Sequence, residues 1–464
     1  MMEQIHIYHI NDLHSHFENW PKIAGFVREK RKQHDQNQQD MLLLDVGDHM
    51  DRFHPITEAT LGKANVRLMN ELGYDYATIG NNEGITLSNE QLNELYEDAT
   101  FSVLVANLFK QDGSYPDWVK PYSIYETKTG FKLAIIGVSV PFQKFYQLLG
   151  WDIKNPQDIL PSLVNRVKQE GADFVMILSH LGINEDERMA RELDGVDLIL
   201  GGHTHHLFDE GLEHNGTMLG AAGKFGMNVG YVKLTVDPKT KVVQSIEPSV
   251  ISMEGQLDCL ETKARIERET ELACIKLGQK ITQIDSPLEV EWYKPSILPD
   301  LLADAIREWC EAEIGMINAG VLLESLPEGD VTFGDLHRIC PHPINPCKVV
   351  LTGAELKEVI LQAATPRMEH LKMKGFGFRG KVLGRMVYSG VIVETTILDD
   401  QLPHVHSILI NNQPIDPDRN YIVATLDMFT FGNLYPEISH AKEKEYYLPE
   451  MLRDILQWKL LKNA

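Results

Sequence analysis

Short apolar runs recur along the first half of the chain, at Ile5–Ile10, Met41–Val46, Tyr76–Ile79, Phe101–Ala106, Leu133–Val138, Phe174–Leu178 and Val196–Leu200. Each has strand length, and between several of them lie charged, amphipathic stretches of helical period: Ile23–Gln33, Ala59–Leu72 and Leu160–Glu170. For the last of these, Asp158 is the expected N-cap and Gly171 the expected stop. Strands alternating with helices predict a layered α/β domain. From about Thr217 to Val243 the pattern turns to β, broken at Asp237-Pro238.

A charged, helix-forming segment between Leu257 and Lys280 carries no strand signal. It reads as a connecting helix between two domains, the alternative being a surface helix of the first. After Pro287 a second unit is expected, with a helix near Ser296–Ile314, strands near Gly315–Asn318 and Val349–Thr352, and a helix near Ala354–Ala364. Mostly β structure should follow, through Val387–Glu394 and Tyr421–Ala424. The expected division is therefore a first domain over 1–255, a connector over 256–285 and a second domain over 286–464.

With 464 residues the chain is long enough for two cores. Its net charge of −23 argues against a nucleic-acid polymer as partner, because neutralising phosphates needs a basic face. A small phosphate ester can still be taken by an acidic protein if metal cations supply positive charge locally. No apolar run is long enough to cross a bilayer, so no membrane partner is expected. The N-terminus, Met1-Met2-Glu3-Gln4-Ile5, has no secretory pattern, and the five cysteines are odd in number and lack a C-x-x-C pair. Reduced thiols in the cytoplasm are the expectation.

Candidate chemistry sits directly after the apolar runs. Asp12-Leu13-His14 follows the first, Gly47-Asp48 the second and Gly80-Asn81-Asn82-Glu83 the third; His180 and Gly202-His203-Thr204-His205 follow two later runs. D-x-H and H-x-H place two ligands on one side of an extended strand end, because side chains alternate with period two. A mixture of carboxylate, imidazole and amide oxygen suits Mn, Fe or Zn better than Ca or Mg. One Asp shared between two ions would make a binuclear site.

The series D-x-H, G-D-x-x-D, G-N-x-E, H, G-H-x-H resembles the signature of the calcineurin-like metallophosphoesterases, and with a second domain it resembles their 5′-nucleotidase branch. The resemblance implies an α/β fold: an N-terminal four-layer sandwich of two β-sheets flanked by helices, plus a C-terminal α+β domain that binds substrate. It implies one divalent ion held by Asp12, His14, Asp48 and His205, and a second held by Asp48, Asn81, His180 and His203. Metal-assisted hydrolysis of a small phosphorylated metabolite, with nucleotides as the favoured class, is the implied activity. Arg52 matches an arginine that clamps phosphate in related protein phosphatases, its alternative being a salt bridge to a neighbouring acid.

Departures from the family pattern matter as much. Where the branch has a histidine after the ligand asparagine, oriented by an aspartate, this chain has Asn82 and Ile85. Asn82 can donate a hydrogen bond but holds no transferable proton near neutral pH. His49 is the first candidate to take over that role, and structural support behind the ligands is the alternative. An anhydride or cyclic phosphodiester substrate would need no acid, and a metal-dependent phospholigand-binding protein without turnover is the competing class; within the enzyme class the alternative is a phosphodiesterase or pyrophosphohydrolase. In the second domain Asn318 begins an N-x-G-x-x-R motif whose arginine position is Leu323. The family's stacking aromatics correspond to Tyr388 and, loosely, Phe429, two faces that could sandwich a base.

Overall fold

Alternation along a strand decides which layer each residue serves. In Phe174–His180, the side chains of Phe174, Met176 and Leu178 join Ile5, Ile7, Leu42 and Leu44 in one buried cluster, while Val175 and Ile177 face the other way into a second cluster with Leu160, Val164 and Met189. The first cluster is the filling between two sheets; the second lies between one sheet and its covering helices. The computed structural model describes residues 2–373, 375–398 and 403–463.

Five strands position the chemistry: β1 (Glu3–Ile10), β2 (Asp40–Asp45), β3 (Tyr76–Ala77), β4 (Phe174–His180) and β5 (Leu198–Gly201). The seven-stranded sheet runs Val242–Ser252, Asn228–Asp237, β1, β2, β3, Ser102–Leu104, Val119–Lys120. From β1 onward its neighbours are parallel, and Asn228–Asp237 joins β1 antiparallel. The six-stranded sheet runs Leu212–His214, Thr217–Gly220, β5, β4, Lys132–Ser139, Tyr122–Glu126, parallel through its centre with antiparallel edges. The helix Trp20–Gln36 covers the outer face of the first sheet, where Phe26 meets Tyr8 edge-on at 5.9 Å. Pro156–Gln169 and Ile183–Glu192 cover the outer face of the second. Helix, sheet, sheet and helix make the four layers that the resemblance implies.

Local differences from the expected elements have local causes. The stretch Ala59–Leu72 is two helices, Pro55–Thr60 and Lys63–Leu72, because Leu61 and Gly62 adopt left-handed backbone (φ 50° and 83°). The cap of Pro156–Gln169 is Asn155, whose side chain accepts from the Gln157 amide, with Pro156 at the first helical position; Gly171 does stop the helix, at φ 92°.

The chain divides into two compact units, Met1–Ala273 and Cys274–Ala464. The division falls inside the helix Leu260–Leu277. Its earlier turns are fastened to the first unit: Glu269, 1 % exposed, accepts from Arg67 at 2.6 Å, and Arg28 pairs with Glu261 at 2.7 Å.

The second unit is built on a mixed five-stranded sheet in the order Met386–Ser389, Ile314–Asn318, Asn420–Leu426, Pro346–Thr352, Lys444–Tyr446. The helices Ile297–Trp309, Gly353–Ala363 and Leu452–Asn463 share its core. The first of these ends five residues before the expected Ile314, where Glu311 turns left-handed (φ 51°). Gly390 (φ 81°) likewise splits Val387–Glu394 into two strands.

Candidate metal centre

Parallel pairing brings the C-terminal ends of β1, β2 and β3 to one edge of their sheet, and those of β4 and β5 to one edge of the other. The two edges meet at Asp48, whose Oδ2 lies 3.4 Å from His180 Nε2 and 3.6 Å from His14 Nε2. The loops interlock through their backbones: the Asp12 amide donates to the Gly47 carbonyl at 3.0 Å, and the His14 amide to the Asp48 carbonyl at 2.9 Å. Gly80 has to be glycine here, since a Cβ would sit 2.0 Å from Asp48 Oδ1.

Two triads of ligand atoms converge, Asp12 with His14 and His205, and Asp48 with His180 and His203; within each, the atoms lie within 4.8 Å of one another. In the first triad His205 Nε2 is 3.4 Å from Asp12 Oδ1 and 3.2 Å from His14 Nε2. Beside the second, Asn81 Oδ1 is 2.9 Å from His203 Nδ1. The seven residues expected from the motifs are thus brought to one place. Five of them hold left-handed backbone, Asp12 (φ 52°), His14 (49°), Asp48 (52°), His203 (71°) and His205 (60°). For a non-glycine residue that conformation costs about 1–2 kcal/mol, and strain of this kind collects at functional sites.

The donor set fits divalent ions on a structural test. His180 is fully buried; its Nδ1 is 2.7 Å from the Val46 carbonyl, so that nitrogen carries the proton and donates it. Its Nε2 is then left with no hydrogen-bond partner while aimed at Asp48. A buried imidazole nitrogen with no hydrogen-bond partner, its ring oriented by a carbonyl, is the arrangement of a metal ligand. His14 is oriented in the same way by Asp51, at 3.3 Å from Nδ1.

The electrostatics agree. Burial disfavours the charged form of His14, yet Asp12, Asp51 and Asp48 push its pKa up to about 10. His180 is likewise lowered by burial but pushed up to about 9, chiefly by Asp48. Burial alone would raise the Asp12 carboxyl; His14 and His205 hold it well below the usual carboxylate range. A cluster that draws cationic charge so strongly suits a divalent metal in place of its protons.

Around these candidate ligands lie the three residues expected in catalytic roles. The Asn82 side chain is buried and donates to Asp48 Oδ2 at 2.7 Å, while its amide donates to Asp48 Oδ1 at 2.8 Å. Both bonds brace the Asp48 carboxylate. Arg52 was expected at a phosphate. Instead its Nε and Nη2 donate to Glu58 at 2.8 and 3.0 Å and its Nη1 donates to the Thr86 carbonyl at 2.8 Å, which is the salt-bridge alternative. His49 packs edge-on to Trp20 (5.1 Å) and Tyr74 (6.4 Å), and burial lowers its pKa to about 3. A histidine neutral in that range holds no proton to give near pH 7.

Other supports went unassigned in the sequence. Glu83 accepts from three amides, Asp48 and Met50 at 3.0 Å and Gly80 at 2.8 Å, clamping two ligand loops together. Asn11 donates to Asp12 Oδ2 at 2.8 Å, and Asp51 orients His14. The signal for Asp51 and Glu83 lay inside the same motifs, in the last acid of G-D-x-x-D and the glutamate of G-N-x-E.

In the second unit, Asn318 is fully buried and donates to the Leu383 carbonyl at 2.7 Å. Phe429 is also fully buried, packed edge-on against Tyr435 at 5.0 Å, so it offers no face to a base. Tyr388 is half-buried and lines a cavity.

A sandwich of two sheets with carboxylates, imidazoles and an amide at converging strand ends defines a metal-dependent hydrolase of phosphoesters. The family model for calcineurin-like phosphoesterases matches residues 5–207, and that for the 5′-nucleotidase C-terminal domain matches residues 278–434. The chain is 49 % identical to the uncharacterized metallophosphoesterase YunD of Bacillus subtilis (strain 168), over 99 % of this chain and 100 % of that one. Among solved structures, the NAD nucleotidase NadN of Haemophilus influenzae aligns with a TM-score of 0.65 at 18 % identity, covering 100 % of this chain and 96 % of that one. A 5′-nucleotidase precursor of Thermus thermophilus aligns with a TM-score of 0.61 at 19 % identity, covering 99 % and 96 %. These two likenesses show the fold. The protein belongs to the calcineurin-like phosphoesterases that carry a 5′-nucleotidase C-terminal domain.

Proposed function

We propose that the protein hydrolyses phosphate esters of small metabolites, nucleotides being the favoured class, at a centre that holds two divalent ions of Mn, Zn or Fe. The observation that carries this reading is the orphaned Nε2 of His180 beside Asp48, with one ligand triad that includes this carboxylate and a second that approaches it through His14. Two divalent ions bound there supply Lewis-acid activation of a phosphoryl oxygen and of water. The chain's own part is to hold the ligands in place through Glu83, Asn82, Asp51 and the Val46 carbonyl, so that little reorganisation is left for the reaction. Support for nucleotides comes from the family of the C-terminal domain and from likeness to a protein named an NAD nucleotidase. A cytoplasmic location is supported by a cysteine count of five, odd in number and without a C-x-x-C pair. Among the described residues no helix is long and apolar enough to cross a membrane.

A second reading, cleavage of a diphosphate or a cyclic phosphodiester, is favoured by the bracing of Asn82 on Asp48, because a phosphate leaving group departs without a proton and ring strain helps a cyclic diester to open. The test is phosphate release by the Mn²⁺-loaded protein from a panel of nucleoside monophosphates, dinucleotides, cyclic nucleotides and sugar phosphates. Turnover of monophosphates supports the first reading, and turnover restricted to diesters or anhydrides supports the second. A metal-replete protein inert on the whole panel would sink both and leave phospholigand binding without turnover. Chelation should abolish activity and Mn²⁺ restore it, except in Asp48→Asn.

A further inference from the structure

The second unit contains a cavity of about 390 Å³ beside the strands Met386–Ser389 and Val391–Ile397. That volume is within the ordinary range for small-molecule sites. Met386 and Val393 give it an apolar wall, and Asp300, Glu369, Arg385 and Tyr388 give it polar groups. None of these four polar side chains makes a hydrogen bond or an ion pair with any described residue. The charge of Arg385 nevertheless reaches both carboxyls, each of which burial holds above its usual range. A guanidinium and two carboxyls, half-buried except for the exposed Asp300, thus line one cavity without pairing with each other, which leaves their charges for a ligand.

The signs of the charges choose the ligand. One cation against two carboxylates repels a phosphate dianion and favours a molecule that is neutral or positive overall. An anionic group is wanted at Arg385, whose planar fork takes a carboxylate through two parallel hydrogen bonds. An ammonium group is wanted at Asp300 and Glu369, where it offers three donors.

We propose that this cavity binds a zwitterionic α-amino acid, its carboxylate on Arg385, its ammonium group towards Asp300 and Glu369, and its side chain against Met386 and Val393. The Tyr388 hydroxyl donates a further hydrogen bond to the carboxylate. The site is separate in sequence from the metal ligands and does not depend on the phosphoesterase reading.

The test is ligand-observed NMR on the full chain with each of the twenty common L-α-amino acids, repeated on Arg385→Gln and Glu369→Gln. At least one amino acid should bind saturably, and each variant should weaken it about tenfold or more, the size expected for losing a charge-assisted hydrogen bond. The desamino acid and the decarboxylated amine of the best binder should each bind more weakly by a similar factor, and inorganic phosphate should not compete. Because neither side chain holds the fold together, both variants should melt like the parent, which keeps the comparison interpretable. Absence of binding by all twenty, or binding that both variants leave unchanged, would overturn the proposal.

Discussion

Asn82 Nδ2 donates to Asp48 Oδ2 over 2.7 Å, the same oxygen that faces His180 and His14. A residue next in sequence to the candidate ligand Asn81 is therefore committed to the Asp48 carboxylate, and orients it as partners of metal ligands commonly do. Asn82→Ala should weaken Mn²⁺ binding about 10–100-fold, measured by titration calorimetry, with the fold intact. Unchanged metal affinity with lost turnover would instead place Asn82 at the substrate.

Arg52 and Glu58 form a largely buried pair, 8 % and 13 % exposed at their side chains. Removing one partner of such a pair leaves an uncompensated charge and costs about 3–5 kcal/mol. Arg52→Ala should accordingly lower the melting temperature by several degrees, as should Glu58→Ala, while KM for the best substrate stays put. A raised KM at an unchanged melting temperature would return Arg52 to the phosphate.

Glu83 is the acceptor for three amides of two ligand loops. In Glu83→Gln one of the two oxygens becomes a donor nitrogen, and at least one buried N–H loses its acceptor at about 1–3 kcal/mol. The expected result is a lower melting temperature together with weaker Mn²⁺ binding. Loss of neither would mean that the loops hold their positions unaided.

His342 is neutral in the folded second unit. Its Nε2–H donates to the Val321 carbonyl and its Nδ1 accepts from the Arg379 amide, both at 2.9 Å. Burial, with the charge of Arg379 nearby, lowers its pKa to about 3. The unfolded chain, titrating near 6.5, takes up a proton that the folded state refuses. The contribution is full above about pH 6.5 and falls with decreasing pH, by up to about 1.4 kcal/mol per pH unit, until the folded group titrates. Urea unfolding at stepped pH and the ring ¹⁵N shifts of His342 check this; a ring that titrates near 6.5 in the folded protein would contradict it.

Much of the first unit was legible because its code is local. Apolar runs at Ile5–Ile10, Met41–Val46 and Phe174–Leu178 became strands, and the period-two rule that buries Phe174, Met176 and Leu178 between the sheets carries His180 to the same face. Ligands set directly after such runs have to emerge at strand ends. The break at Leu61-Gly62 was missed because Leu61 departs from the residue types that favour left-handed backbone, and only the packing shows why it turns there.

By itself, then, the sequence determined the layered α/β class of the first unit and the residues that gather at its candidate metal centre, since hydrophobic period and motif spacing act within a few residues. Only the tertiary structure decided what the neighbouring polar side chains do: Arg52 to Glu58, Asn82 to Asp48, Glu83 to three amides, and, in the second unit, sent Phe429 into a core. Each of those outcomes depends on which other groups lie within hydrogen-bond or packing distance once the loops close. That is a matter of three-dimensional proximity and burial, which a motif's spacing does not specify.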